Sequence, residues 1–267
     1  MYKLQHFVAK HSILCKVISI ILWAFMWIVL LCGRLNFNII AGMLCYILCI
    51  FSYLLIIDAT PSLIMQKTMH PLNNKCDPYP LLLETEKLLT YKNSKSAELI
   101  VLMNRAVALS DIGRYQEAYD IQKSVNIDKN PAPINRCIYY NNLFQFCMNL
   151  EKYDEAGIWF EKLMQVYADV KGKKTLAMLE SSIISSKAAE AYRKGDYMAS
   201  IEITNSNTPK NLRSRVSGAM DYARACIALG ENERAAEALG FVIQNGNRLY
   251  CVNEAAAMLR KIRGAEE

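Results

Sequence analysis

Residues 139–160 read Tyr-Tyr-Asn-Asn-Leu-Phe-Gln-Phe-Cys-Met-Asn-Leu-Glu-Lys-Tyr-Asp-Glu-Ala-Gly-Ile-Trp-Phe. Tyr140, Leu143, Phe144 and Cys147 recur at three- and four-residue intervals, the spacing of one helix face. Leu150-Glu151-Lys152 interrupts that pattern, and Tyr153, Ala156 and Phe160 then resume it. The stretch predicts two amphipathic helices joined by a short turn at residue 151.

The same grammar surrounds it. Ala106-Val107-Ala108-Leu109 leads to Ile112-Gly113-Arg114-Tyr115 and then Glu117-Ala118; Ala188 and Ala191 lead to Gly195-Asp196-Tyr197; Ala223 and Cys226 lead to Leu229-Gly230-Glu231-Asn232 and then Ala235-Ala236. The turns fall at 113, 151, 195 and 230, spaced by 38, 44 and 35 residues. Small residues such as Ala106, Ala188 and Ala223 allow close approach of paired helices. Gly113, Gly195 and Gly230 end the first helix of each pair, where a left-handed residue costs glycine little. Tyr115, Tyr153 and Tyr197 are placed to pack under the turns. No such pair buries its apolar face alone, so neighbouring pairs are expected to stack.

Over residues 97–246 this pattern resembles the tetratricopeptide repeat family, a helix–turn–helix unit of about 34 residues. Tyr140, Leu143, Cys147, Tyr153, Ala156 and Phe160 occupy its signature positions, whereas Arg105 and Lys187 stand where that family has Leu. The resemblance implies an α-solenoid whose first helices line a concave face. Mapped here, that face selects Asn104, Val107, Asn141, Asn142, Gln145, Met148, Tyr192, Arg193, Met220 and Arg224. Asn and Gln can hydrogen-bond an extended peptide backbone, and Arg can grip a carboxylate; solvated positions on a curved surface are the alternative. The family's carboxylate-clamp pattern is not reproduced residue for residue. The 44-residue spacing makes regular stacking doubtful around residues 165–185. Residues 254–262 read as a terminal capping helix with Asn253 as its N-cap, and Arg260, Lys261 and Arg263 suit its C-terminal dipole.

Ahead of the repeats lie two uncharged apolar runs, Val17 to Gly33 and Phe37 to Ile57, separated by Arg34, Leu35 and Asn36. A membrane span takes roughly 17–25 such residues. The reading is a transmembrane hairpin, with helices at about 13–33 and 37–57. A cleaved signal peptide fits less well, because no small-x-small site follows and a second apolar run begins at once. Lys3, Lys10, Lys16, Lys67 and Lys75 flank the ends and only Arg34 the turn, so both termini and the repeats are expected in the cytoplasm. Ala41, Cys45 and Cys49 share one helix face. They form a candidate helix-packing stripe, either for a partner or second copy or, given the short turn, for the chain's own first span.

Residues 1–57 hold four Lys/Arg and no acid, leaving 27 basic against 25 acidic residues in the remainder. The basic balance is thus a topology signal and gives no concentrated face for nucleic acid. Nine Cys without a C-x-x-C pair, and His only at 6, 11 and 70, argue against a metal site. Scattered thiols suit a reducing compartment. No His lies within the repeats to serve a nucleophile, and the glycines stand singly, with no phosphate loop.

The expected architecture is therefore all-α: residues 1–57 as tail and hairpin, 58–76 as connector, and 77–267 as a tetratricopeptide-like helical domain. The expected function is that of a non-enzymatic membrane-anchored scaffold, without cofactor, that binds a protein or peptide partner. A membrane-complex subunit assembled through its hairpin and an enzyme of unrecognised type are the alternatives.

Overall fold

The computed structural model describes residues 2–32, 47, 63–91, 95–129 and 132–264. The described residues are helical, with no strand among them. In chain order the helices are α1 (Tyr2–Lys10), α2 (Ser12–Cys32), α3 (63–75), α4 (Tyr79–Leu89), α5 (Lys95–Asp111), α6 (Tyr115–Ser124), α7 (Pro133–Asn149), α8 (Tyr153–Ala168), α9 (Lys173–Arg193), α10 (Tyr197–Ser206), α11 (Leu212–Ala228), α12 (Asn232–Asn245) and α13 (Cys251–Gly264). A 3₁₀ turn, Ile127–Lys129, lies between α6 and α7. The chain divides into two compact units, residues 1–67 with 84–101 and residues 68–83 with 102–267.

In the first unit His6 and Ala9, three residues apart on α1, are buried together with Ile64, Met65, Leu88, Ala97 and Val101. The His6 ring is held at both nitrogens: Nε2 lies 2.8 Å from Glu84 Oε1, and Nδ1 lies 3.1 Å from the Tyr91 hydroxyl. Lys67 Nζ adds a hydrogen bond to Gln5 Oε1 at 3.0 Å. On α2, residues Ile13, Leu14, Val17, Ile18, Ile20, Ile21 and Ile28 are exposed, and Ser19 is buried. At 100° per residue these apolar side chains fill one broad sector, with Ser19 opposite. Among the described residues no helix is long and apolar enough to cross a membrane. The proposed second span and its Ala41, Cys45 and Cys49 stripe lie outside the described residues.

The second unit is an array of helix pairs: α7 packs on α8, α9 on α10 and α11 on α12. The second helix of one pair packs on the first helix of the next, as α6 does on α7, α8 on α9 and α10 on α11. The first helices also touch one another, α7 against α9 and α9 against α11. The turn inside each pair is built the same way four times. Gly113 (φ +85°), Glu151 (+56°), Gly195 (+80°) and Gly230 (+75°) are all left-handed. The next residue's N–H reaches back to the last helical turn: Arg114 to the Leu109 carbonyl, Lys152 to Cys147, Asp196 to Ala191 and Glu231 to Cys226, at 2.9–3.0 Å. This is the 6→1 bond of a Schellman cap. That residue's own carbonyl accepts the first bond of the following helix, from Ala118, Ala156, Ser200 and Ala235.

The extra residues behind the 44-residue spacing lengthen helices. α8 has 16 residues where α6 and α10 have 10, and α9 has 21 where α7 and α11 have 17. Leu163 and Val166 of α8, Val170 of the following connection, and Leu179 and Ile183 of α9 bury a common cluster with Cys137 of α7. The terminal helix starts at Cys251, so Asn253 lies inside it; the Tyr250 carbonyl accepts from the Asn253 N–H at 2.9 Å.

The array is fastened end to beginning. The segment before α13 lies along the first helices of the same unit: Asn247 Nδ2 donates to the Lys75 carbonyl (2.7 Å), the Arg248 N–H to Cys76 (3.2 Å) and the Tyr250 N–H to Asp111 (2.8 Å). Arg248 also stacks over the Tyr79 ring at 3.8 Å and pairs with Asp77. Tyr250 lies so close over Gly113 that a Cβ there would fall 2.5 Å from its ring.

A non-glycine residue in the left-handed conformation costs about 1–2 kcal/mol. Glu151→Gly should therefore raise the urea midpoint, a gain of about 0.5–1 kcal/mol after the added freedom of the unfolded chain. Gly195→Ala, where nothing lies within 4 Å of an added Cβ, should lower stability by about 1 kcal/mol through φ alone. Burial chiefly, with Lys87 assisting and Glu84 opposing, holds the His6 pKa below its usual value. A group whose folded pKa is lowered stabilises fully above its unfolded value of about 6.5, and this is lost as pH falls. Hydrogen-exchange protection of α1 should thus drop between pH 7 and 5 in the wild type and not in His6→Gln.

Candidate functional site

The four-fold turn sets the first helices side by side, so residues three and four apart on each share one inner face. α5 contributes Val107, Ser110 and Asp111; α7 contributes Asn141, Asn142, Gln145 and Asn149; α9 contributes Ser181, Ser182 and Ser185. α11 adds Ser217, Met220, Asp221 and Arg224, and the closing segment adds Leu249, Cys251 and Glu254. They surround a cavity of about 230 Å³. A second chamber, of about 390 Å³, shares Gln145, Asn149, Asp221, Arg224 and Glu254 with it and is walled further by Met148, Tyr192 and Met258.

The charges inside are arranged in two groups. Asp111 takes a bidentate fork from Arg213, at 2.9 Å (Nε to Oδ2) and 3.0 Å (Nη2 to Oδ1). Burial pushes the Asp111 carboxyl above its ordinary pKa, and Arg213 pulls it back only in part. In the second group Glu254 accepts from the Tyr115 hydroxyl at 3.2 Å and from Arg224 Nη2 at 3.2 Å. Asp221 lies 3.6 Å from Arg224 Nη1, and its carboxyl is raised by burial with Arg224 alone opposing. Burial and the neighbouring Glu254 raise the Tyr115 hydroxyl strongly, and burial pushes the Cys251 thiol up to about 12. Both stay protonated at neutral pH. Three carboxyl groups and two guanidiniums thus line the cavity.

The uncharged wall is also organised. Ser186 Oγ donates to Asn141 Oδ1 at 2.5 Å, and Gln145 Nε2 donates to Ser186 at 3.4 Å. Asn142 is only 8% exposed, and its Nδ2 is buried without a hydrogen-bond partner. A buried donor left unpaired costs about 1–3 kcal/mol.

Of the residues expected on a concave face, Asn141, Asn142, Gln145 and Arg224 border the first chamber, and Tyr192, with Gln145 and Arg224, borders the second. Val107, Met148 and Met220 line one chamber or the other. Asn104 is half-buried on α5 and lines neither. Arg193 lines neither. Its guanidinium forks onto Glu190 at 2.7 and 2.8 Å, donates to the Tyr153 carbonyl, and lies against Gly157. It braces α9 to the start of α8. Asp111, Arg213, Asp221, Tyr115 and Glu254 were not anticipated. Asp111 and Asp221 sit four residues from Val107 and four after Ser217, a helical step that the sequence offers. The Asp111–Arg213 pairing, across 102 residues, leaves no local trace.

Among the described residues no group of three or more His, Cys, Asp or Glu side chains is placed to hold a metal ion. No protein-family model matches the chain, and neither a curated protein nor a solved structure matches it.

Removing one partner of a buried pair strands the other charge. Arg213→Met should cost about 2–4 kcal/mol, measured by chemical unfolding. The double variant Asp111→Asn/Arg213→Met should recover most of that loss.

Proposed function

We propose that this chain is a membrane-anchored helical-repeat adaptor that binds a polar segment of a protein partner. Residues 102–245 form a short tetratricopeptide-like solenoid, with α13 as its cap. The two apolar runs of residues 17–57 anchor it as a hairpin, and the Lys distribution places the repeats in the cytoplasm. The exposed apolar sector of α2 supports the anchor, since lipid would cover it. The observation that carries the binding reading is the inner cavity itself. Its wall is mostly hydroxyl and amide. Such groups offer both donors and acceptors to a polar ligand.

The test is partner capture by the full chain from detergent-solubilised membranes. Asn142→Ala/Gln145→Ala should lower recovery of the partner at least tenfold, with the helical circular-dichroism signal unchanged. Undiminished capture would remove the cavity as the binding surface.

A second reading, that of a subunit assembled through its membrane segment, is favoured by the same α2 sector. If capture survives the cavity variants and is lost on Ile20→Ser/Ile21→Ser, the contact is made there.

A further inference from the structure

We propose that a further cavity of the second unit, floored by α11 and walled by α10 and α12, binds a free α-amino acid with a large apolar side chain. Arg215 takes its carboxylate and Glu237 its ammonium. Neither Asn142 nor Gln145 lines this cavity, so the proposal is independent of the adaptor reading.

Three observations select this chemistry. The first is the space. The cavity holds about 490 Å³, within the roughly 300–1,000 Å³ of small-molecule pockets. Gly218 and Ala219 form its floor, with Ala188 and Ala238 beside them. Gly218 stands in the middle of α11, where glycine weakens a helix. Neither a left-handed backbone nor a close neighbour calls for it there, since a Cβ added at Gly218 meets nothing within 4 Å. The fold leaves this bare apolar floor unused, and an apolar side chain laid on it takes both surfaces out of water.

The second observation is a cation that is always ionised and has no anionic partner. Arg215 is exposed, and its guanidinium lies over the Phe241 ring, 5.3 Å from the centroid. The ring holds it at the cavity, and its N–H donors remain for a carboxylate. Among the described residues no carboxylate pairs with it. The third is the opposite charge. Glu237, one turn before Phe241 on α12, is exposed at the same cavity and also has no ion-pair partner among the described residues. The other charges of the wall are engaged: Arg234 by Glu231 and the Tyr222 hydroxyl, Asp221 by Arg224. A purely anionic ligand would be repelled by Glu237, and a purely cationic one by Arg215. A zwitterion with an apolar body meets both, and an amino acid is such a molecule.

Calorimetric titration of the full chain in detergent micelles with L-phenylalanine tests this. Phenylalanine should bind at least about tenfold more tightly than 3-phenylpropionate, which lacks the ammonium, or phenethylamine, which lacks the carboxylate. Glycine, which lacks the apolar body, should not bind. Arg215→Gln should leave phenylalanine binding no better than phenethylamine, and Glu237→Gln no better than 3-phenylpropionate. Gly218→Leu, which covers the floor and meets no atom of the chain at its Cβ, should abolish binding. In all three variants the thermal transition should stay within a few degrees. Asn142→Ala/Gln145→Ala should bind phenylalanine as the wild type does.

Absence of phenylalanine binding at millimolar concentration, equal affinity for either singly charged analogue, or binding that survives Gly218→Leu would overturn the proposal. Loss of binding in Asn142→Ala/Gln145→Ala would place the ligand in the inner cavity and overturn it too. None of these results bears on partner capture, which tests the adaptor reading by itself.

Discussion

One hydrogen bond, made four times, sets the geometry of the second unit. After each first helix a residue turns left-handed, and the next N–H bonds back across the helix end to the carbonyl five residues earlier. The bond ends one helix and fixes the direction in which the next one leaves. Because the flanking dihedrals are nearly the same at Arg114, Lys152, Asp196 and Glu231, each second helix packs back on its first at a similar angle. The first helices are left free to touch one another. Everything on the inner face, from the position of Asn142 on α7 to that of Asp221 on α11, follows from that repetition.

The interior is polar for a reason visible in the packing. Core-facing positions of the pairs are taken by small or apolar side chains, such as Ala106, Cys147, Ala188 and Cys226, all buried. The face left over carries serines, amides and charges, which a tightly packed core would not tolerate without partners. Asp111 and Arg213 satisfy each other. Glu254 is satisfied from two sides, by Tyr115 and Arg224. Asp221 has the looser pairing, with Arg224 at 3.6 Å. Arg193 shows the opposite case: a cation on a first helix that Glu190, three residues earlier, has already claimed.

The turns were legible in the sequence because left-handed backbone selects glycine so strongly that Gly113, Gly195 and Gly230 announce themselves. Glu151 could be placed only by its register with Leu150 and Tyr153. The all-helical class was legible from apolar spacing. Arg193, which the family register selects for the concave face, is forked onto Glu190 one turn before it and lines neither chamber. Ser182 and Ser185 stand thirteen and ten residues before Gly195, as Ser217 and Met220 stand before Gly230, while the family mapping selects only Tyr192 and Arg193 on that helix. The Asp111–Arg213 fork and the Tyr250 contact with Gly113 join residues more than a hundred positions apart, and only the folded chain brings such groups together.

An open array of repeats behaves like a stack of coins: stability is lost from either end, one unit at a time, and units can be added without disturbing the rest. The seam from Asn247 to Tyr250 changes that behaviour. With the last pair hydrogen-bonded to Lys75, Cys76 and Asp111, neither terminal pair is free to fray on its own. Melting then requires the seam and both end pairs to give way together, so the array behaves as a single cooperative body of fixed repeat number. Evolution could not lengthen such an array by inserting a repeat without first parting the seam.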